Sequence, residues 1–162
     1  MKTPRKFILF LALCSMMISC EKDDDFTQVS AFENALHNEV NAYRKRQGLN
    51  ELALQFIMVK EAQDHCVGRA NGTISDDNAI ADMNERWHTV KSKLGVNNVT
   101  NYQNIPWILF TDQSAADVVA EWAADSIGKI ILEMDYTLSG PGIGKTSDGR
   151  TYIMHMLCKW TE

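Results

Sequence analysis

The stretch Ser139 to Thr146, SGPGIGKT, comes within one residue of a phosphate-cradling loop. The pattern G-x-x-x-x-G-K-[ST] sets a lysine and a hydroxyl against phosphates and turns backbone amides toward them. Gly144, Lys145 and Thr146 fall in register, and Ser139 stands where the first glycine belongs. Such a loop must leave a strand and open a helix, whose N-terminus supplies the amide donors. Here Lys145-Thr146 runs into Ser147-Asp148-Gly149, and Asp-Gly is a hairpin signal. The glycines therefore read as a closely packed strand and not as a nucleotide site.

Other chemistry-bearing residues are as thinly supported. Ser75-Asp76-Asp77 and Ser139 offer hydroxyls and carboxylates, but no G-x-S-x-G elbow surrounds either serine. Cys66 follows His65, yet neighbours one residue apart on a helix point about 100° apart and do not face each other. Cys66 reads as core. His37 and His65 read as packed, hydrogen-bonded residues, and His88 as surface or half-buried. His155 sits among apolar residues in a strand, on the face opposite Met154 and Met156. Trp87, Trp107, Trp122 and Trp160 read as core and interface residues.

The elements that must position these residues follow from periodicity. Phe26, Val29, Phe32, Leu36, Val40 and Tyr43 recur every three to four residues, which predicts a helix ending near Gly48 with Asp25 or Thr27 as its cap. A second helix is predicted from about Gln55 to Ala70, closed by Asn71-Gly72, with Val59, Ala62, Cys66 and Ala70 on one face. Asp76-Asp77-Asn78 opens a third helix to about Leu94 with Ile80, Met83, Trp87 and Val90 as its stripe. Asn97 to Gln103 reads as polar and turn-rich. Ile105 to Phe110 reads as a strand that Pro106 confines to an edge, or as a loop. Asp112 or Ser114 caps a fourth helix through Trp122, and Ile127 to Glu133 adds a further helical turn or two. Tyr136 to Thr146 and Arg150 to Lys159 read as two strands around Asp148-Gly149.

The chain has 162 residues, 45% apolar and 23% charged, which suits one globular domain. Its start differs from the rest. Lys2, Arg5 and Lys6 precede an apolar run from Phe7 to Ile18, the form of a secretory signal over residues 1–19. That run is shorter than the ~20 residues a spanning helix needs. Met17-Ile18-Ser19-Cys20 resembles a bacterial lipobox, which makes Cys20 the lipid attachment site. Glu21 to Asp25 completes an acidic tether over residues 20–25 and resembles the tag of surface-exported lipoproteins. The expected location is extracytoplasmic, anchored to a bacterial outer membrane and facing the cell surface or the periplasm. Loss of Lys2, Arg5 and Lys6 with the signal takes the formal net charge from −5 to −8. So acidic a protein repels phosphate backbones, and nucleic acid is not an expected partner. Cys66 and Cys158 remain after the signal and Cys20, and an exporting compartment permits either a disulfide or two buried thiols.

Several stretches from Phe26 to Lys159 line up in order. These are His37-Asn38-Glu39-Val40-Asn41-Ala42-Tyr43-Arg44 with Gly48-Leu49, Ala62 and His65, and Tyr102-Gln103-Asn104-Ile105. Ala115-Ala116-Asp117-Val118-Val119 with Trp122, Asp135-Tyr136-Thr137, Gly142-Ile143-Gly144 and the Asp-Gly hairpin follow. Their order resembles the CAP superfamily, the SCP-like extracellular domain, in its compact bacterial form. The resemblance implies an α-β-α sandwich over residues 26–160, with helices on both faces of a small antiparallel sheet; the residue pattern reads independently as α+β.

The family commonly holds a divalent metal in a cleft of histidines and acidic residues. At the matching positions this chain carries Asp76 after Ser75, Gln103 in place of a glutamate, and Lys129 in place of a histidine. Asp125 stands three residues past Trp122. A lysine ammonium has no lone pair to offer a metal, and glutamine lacks charge and basicity. The expectation is a degenerate cleft with no metal and no cofactor. The domain then binds a protein, a glycan or an apolar ligand and performs no catalysis. The alternative is a hydrolase that uses Asp76, Gln103, Asp125 and Lys129, which requires them to converge in a closed pocket.

Overall fold

The computed structural model describes residues 28–162; the leader, Cys20, the acidic tether and the expected caps Asp25 and Thr27 lie outside the described residues. Nine elements follow in order: α1 (Ala31–Arg46), β1 (Ala53–Leu54), α2 (Phe56–Ala70), α3 (Ala79–Leu94), β2 (Val99–Leu109), α4 (Ala115–Ala124), α5 (Ser126–Glu133), β3 (Leu138–Lys145) and β4 (Thr151–Trp160). The strands form one sheet in the order β1-β3-β4-β2. β4 is antiparallel to both neighbours, and the short β1 runs parallel to β3. No helix among the described residues is long and apolar enough to cross a membrane.

Two cores flank the sheet. On one face α1, α4 and α5 bury Leu36, Val40, Val118, Trp122 and Leu132 against Ile105, Ile153 and Leu157. On the other, α2 and α3 bury Met58, Ala62, Cys66, Trp87 and Val90 against Met154, Met156 and Cys158. β4 thus alternates strictly between the cores, the period-two pattern of a strand buried on both faces. His155 points opposite Met154 and Met156, as its position implies, and is fully buried.

The helix starts carry their signals in the sequence. Ser30 caps α1, accepting from the Glu33 amide while the Glu33 carboxylate accepts from the Ser30 amide. This S-x-x-E capping box replaces the expected caps Asp25 and Thr27. Ser114 and Asp117 repeat the device at α4, which resolves the choice between Asp112 and Ser114. Glu33 does more than cap. Buried, it also accepts from the Ile143 amide on the edge of β3 and from Gln63 of α2. One carboxylate therefore ties α1, α2 and the sheet together.

Two expectations differ from the structure, and one strand was not foreseen. Asn97 to Gln103 is mostly strand: β2 begins at Val99, and a bulge between Thr100 and Tyr102 accommodates Asn101, whose φ is 46°. Asparagine tolerates that left-handed conformation, and an edge strand needs few apolar residues, so the stretch looks like a turn in sequence. Pro106 sits within this edge strand, where a missing amide costs no ladder bond. Ile80 is 77% exposed because the first turn of α3 overhangs the core that Met83, Trp87 and Val90 enter. The two-residue β1 carries too short a pattern to read.

The glycines of SGPGIGKT line the face of β3 under α2. A Cβ on Gly140 would lie 2.4 Å from Met58 Cβ, on Gly142 2.2 Å from the Ala62 carbonyl carbon, and on Gly144 2.1 Å from the Cys66 carbonyl oxygen. Alternate strand residues rise about 6.8 Å and every fourth helix residue about 6 Å, so the two rows stay in step. Gly142→Ala is expected to destabilise the domain by about 3 kcal/mol in denaturant unfolding, because the helix backbone must move.

His155 has neither ring nitrogen partnered among the described residues, and its ring meets Trp122 edge-on at a centroid distance of 5.8 Å. Burial, with a smaller effect from His37, lowers its pKa to about 3. The unfolded chain therefore takes up a proton that the folded domain refuses between about pH 6.5 and 3, and stability falls as pH falls through that window. His155→Leu should flatten the acid slope of unfolding free energy by up to about 1.4 kcal/mol per pH unit, read from urea melts at pH 4 to 7.

Candidate binding groove

α3 meets the sheet face it shares with α2 at the early part of β2, through Trp87 against Tyr102 and Asn104. Trp87 Nε1 donates to Asn104 Oδ1 at 3.0 Å, which fixes α3 over the early part of β2. Beyond that point Pro106 and Ile108 of β2 and Tyr152 and Met154 of β4 floor an open groove of about 440 Å3, walled by His65, Cys66 and Arg69 of α2. Ile108 is partly exposed, and Phe110, just past β2, is 75% exposed.

The polar wall is built by helix spacing. His65 and Arg69 stand four residues apart on α2 and so share a face. His65 Nδ1 lies 2.6 Å from Asp82 Oδ2 of α3. Arg86 holds the same carboxylate through Nε at 2.6 Å and Nη2 at 3.1 Å, and reaches Glu61 Oε2 at 3.2 Å. Partial burial disfavours the Asp82 charge, yet the hydrogen bonds from Arg86 and His65 hold its carboxyl below the usual range. Burial lowers the His65 pKa against the pull of Asp82. His65 is therefore neutral near pH 7, with Nδ1–H donating to Asp82. No partner of its Nε2 is found among the described residues, and the His65 ring forms part of the groove wall.

Arg69 lies over the Tyr152 ring, 5.1 Å from its centroid, and pairs with Asp76. Its side chain is mostly covered, whereas that of Asp76 is 92% exposed. Cys66 Sγ lies 3.3 Å from the Gly142 carbonyl oxygen, and burial pushes its thiol pKa up. That leaves it a small apolar wall residue, since the thiolate is the nucleophile.

The sequence-predicted cleft residues do not come together as a set of four: Asp125 and Lys129 are neighbours on α5, but Asp76 stands apart from them. Asp76 belongs to the α2 side, beside Arg69 and Tyr152. Gln103 pairs with Leu157 and so points to the α1, α4 and α5 side. Tyr152 and Leu157 are five residues apart on β4, about 17 Å, so Asp76 and Gln103 differ in face and in position along the sheet. Asp125 is the N-cap of α5, where Oδ2 accepts from the Gly128 amide at 2.7 Å. Lys129 is exposed on the same helix. A divalent metal does not fit this set: it is split across the sheet, one carboxylate is spent on a cap, and one member is a cation. Among the described residues no group of three or more His, Cys, Asp or Glu side chains is placed to hold a metal. The closed pocket that the hydrolase alternative requires does not form from these four.

The disulfide that the sequence permits is also absent. Cys66 and Cys158 are both buried free thiols. Cys158 lies 3.8 Å from Met58 Sδ, and Met58 precedes Cys66 by two helical turns, about 12 Å. A disulfide needs Cα atoms within about 7 Å. Sequence reasoning missed Arg69, Pro106, Ile108, Tyr152 and Met154 as site residues. The available signal was an edge strand carrying apolar residues on both of its faces.

With two helices on one face, three on the other and a β1-β3-β4-β2 sheet, the chain has the α-β-α sandwich fold of SCP/CAP domain proteins. It superposes on an outer surface protein of Borrelia burgdorferi with a TM-score of 0.64 and 16% identity, over 83% of this chain and 96% of that one. A cysteine-rich secretory protein of Staphylococcus aureus matches at a TM-score of 0.52 and 16% identity, over 83% of this chain and 40% of that one. An SCP-domain extracellular protein of Bacillus anthracis matches at 0.53 and 17%, over 79% and 40%. No family model and no curated protein matches the sequence.

The metal question has a direct readout. Calorimetric titration with zinc should show no micromolar site, and Asp76→Ala should leave the trace unchanged. A micromolar site abolished by that substitution would contradict this geometry.

Proposed function

We propose that the chain is a lipid-anchored, extracytoplasmic domain of SCP/CAP fold that works as a binding module, with the groove beside α2 as its binding site. One observation carries this reading: an apolar floor stands open beside a short row of fixed polar groups, the usual make-up of a ligand site. Its volume lies within the ~300–1,000 Å3 range of such sites. The strong nucleophile in its wall, Cys66, is held as a buried thiol, which favours holding a ligand over transforming it.

The N-terminal pattern supports the anchor. A lipidated Cys20 followed by Glu21 to Asp25 would tether the domain to a bacterial outer membrane through a short acidic linker. Each buried methylene contributes about 0.8 kcal/mol, so several acyl chains hold firmly. The similar proteins are described as an outer surface protein, a secretory protein and an extracellular protein, which agrees with an extracytoplasmic site of action. Membrane lipid is then one partner and the groove ligand the other; nucleic acid is not a partner of so acidic a chain.

Two measurements test the proposal. Metabolic labelling with an alkyne fatty acid should mark the wild-type protein and fail on Cys20→Ser. A panel of neutral aromatic and aliphatic fragments should shift backbone amide NMR signals around Ile108 and Tyr152, and Ile108→Lys should abolish those shifts. Shifts confined to the Gln103 and Lys129 region would contradict the groove assignment.

A further inference from the structure

The groove has a charge pattern that selects among ligands. It offers one anion site and one hydrogen-bond acceptor, about one helical turn apart on α2, beside an apolar floor. The anion site is Arg69. Its guanidinium is stacked on Tyr152 and mostly covered, so it keeps its orientation whether or not Asp76 is present. Asp76 occupies that site as an almost fully exposed carboxylate on the loop between α2 and α3. The Asp76 end of this pair is open to water, so another carboxylate can compete for Arg69.

The acceptor is His65 Nε2. Because Nδ1–H is committed to Asp82 at 2.6 Å, and Asp82 is itself clamped by Arg86, the tautomer is fixed. Nε2 then carries the ring's lone pair, on a side chain that lines the groove. A carboxylate placed there would meet that lone pair and be repelled, whereas an N–H or O–H would be received. Past these two groups lie Pro106, Ile108, Tyr152 and Met154.

We propose that the groove takes a small amphipathic monocarboxylate of the N-acyl amino acid or hydroxy acid type. Its acid displaces Asp76 from Arg69, its nearby N–H or O–H donates to His65 Nε2, and its apolar body lies on Pro106, Ile108, Tyr152 and Met154. This rests on the groove being the binding site. No bond is made or broken. Asp76 returns to water as the ligand acid arrives, so the charge on Arg69 stays compensated throughout.

The test uses the chain from residue 20 with Cys20→Ser, which retains every residue of both cores, and N-acetyl-L-phenylalanine as the probe. Backbone amide NMR titration should move the signals of residues 65–69, Ile108 and Tyr152. Affinity should fall at least tenfold for N-acetyl-L-phenylalaninamide on the unchanged chain, at least tenfold for the acid on Arg69→Gln, and severalfold for N-acetylglycine, which lacks the apolar body. The amide probe needs no substitution, so the test stands even if Arg69→Gln folds poorly. Equal affinity for acid and amide, or an acid that moves none of these signals, overturns the proposal. In either case the neutral fragment panel decides separately whether the groove remains the binding site.

Discussion

The contact on which the rest of the molecule depends is the seating of α2 directly on the glycine face of β3. Gly140, Gly142 and Gly144 leave no side chain between strand and helix, and the backbone atoms of Met58, Ala62 and Cys66 fill the space where methyl groups would be. A helix usually packs on a sheet with a layer of side chains between them. Here the layer is missing on one row, so α2 lies low against the sheet and its neighbouring faces drop with it. His65 and Arg69 of this helix and Tyr152 and Met154 of β4 line one groove.

Polar groups fix the frame on both sides of that contact. Glu33 joins the start of α1 to the free edge of β3 and to α2. Asn41 bonds both backbone groups of Leu52 and sets the approach to β1, and also donates to His37, whose Nδ1 lies 2.9 Å from Ser139 Oγ. Arg44, buried at the other end of α1, donates to the Leu132 and Met134 carbonyls that close α5 and to Asn50. These charged and amide side chains meet backbone groups that would otherwise be buried without partners, and such satisfaction is obligatory in a dry interior. The charges around the groove differ. Asp82 and Arg86 hold His65, while Arg69 keeps only a carboxylate that water can reclaim.

Much of this was legible in the sequence. The helices, the Asp-Gly hairpin, the glycine strand and the opposed faces of His155 and Met154 all follow from periodicity and turn chemistry, and the order of motifs resembling the CAP superfamily agrees with the observed sandwich. The capping box at Ser30 and Glu33 was present as S-x-x-E and lay inside a longer apolar period that favoured an earlier start. The first half of β2 was hidden because an edge strand with a bulge has the composition of a loop. The groove was hidden for another reason: it forms beyond the part of β2 that α3 meets, and no spacing within α3 or β2 encodes where that contact ends. The candidate cleft was placed by resemblance, and the register of β2 against β4 separates Asp76 from Gln103 across the sheet.

The central claim is that this domain presents its working surface beside α2 and not around Gln103 and Lys129. The most direct measurement is a crystal structure of the domain soaked with a diverse set of small fragments. The account predicts bound density in the angle between Arg69, Ile108 and Tyr152. Density that instead collects around Gln103 and Lys129, with the groove beside α2 unoccupied across the set, would contradict it.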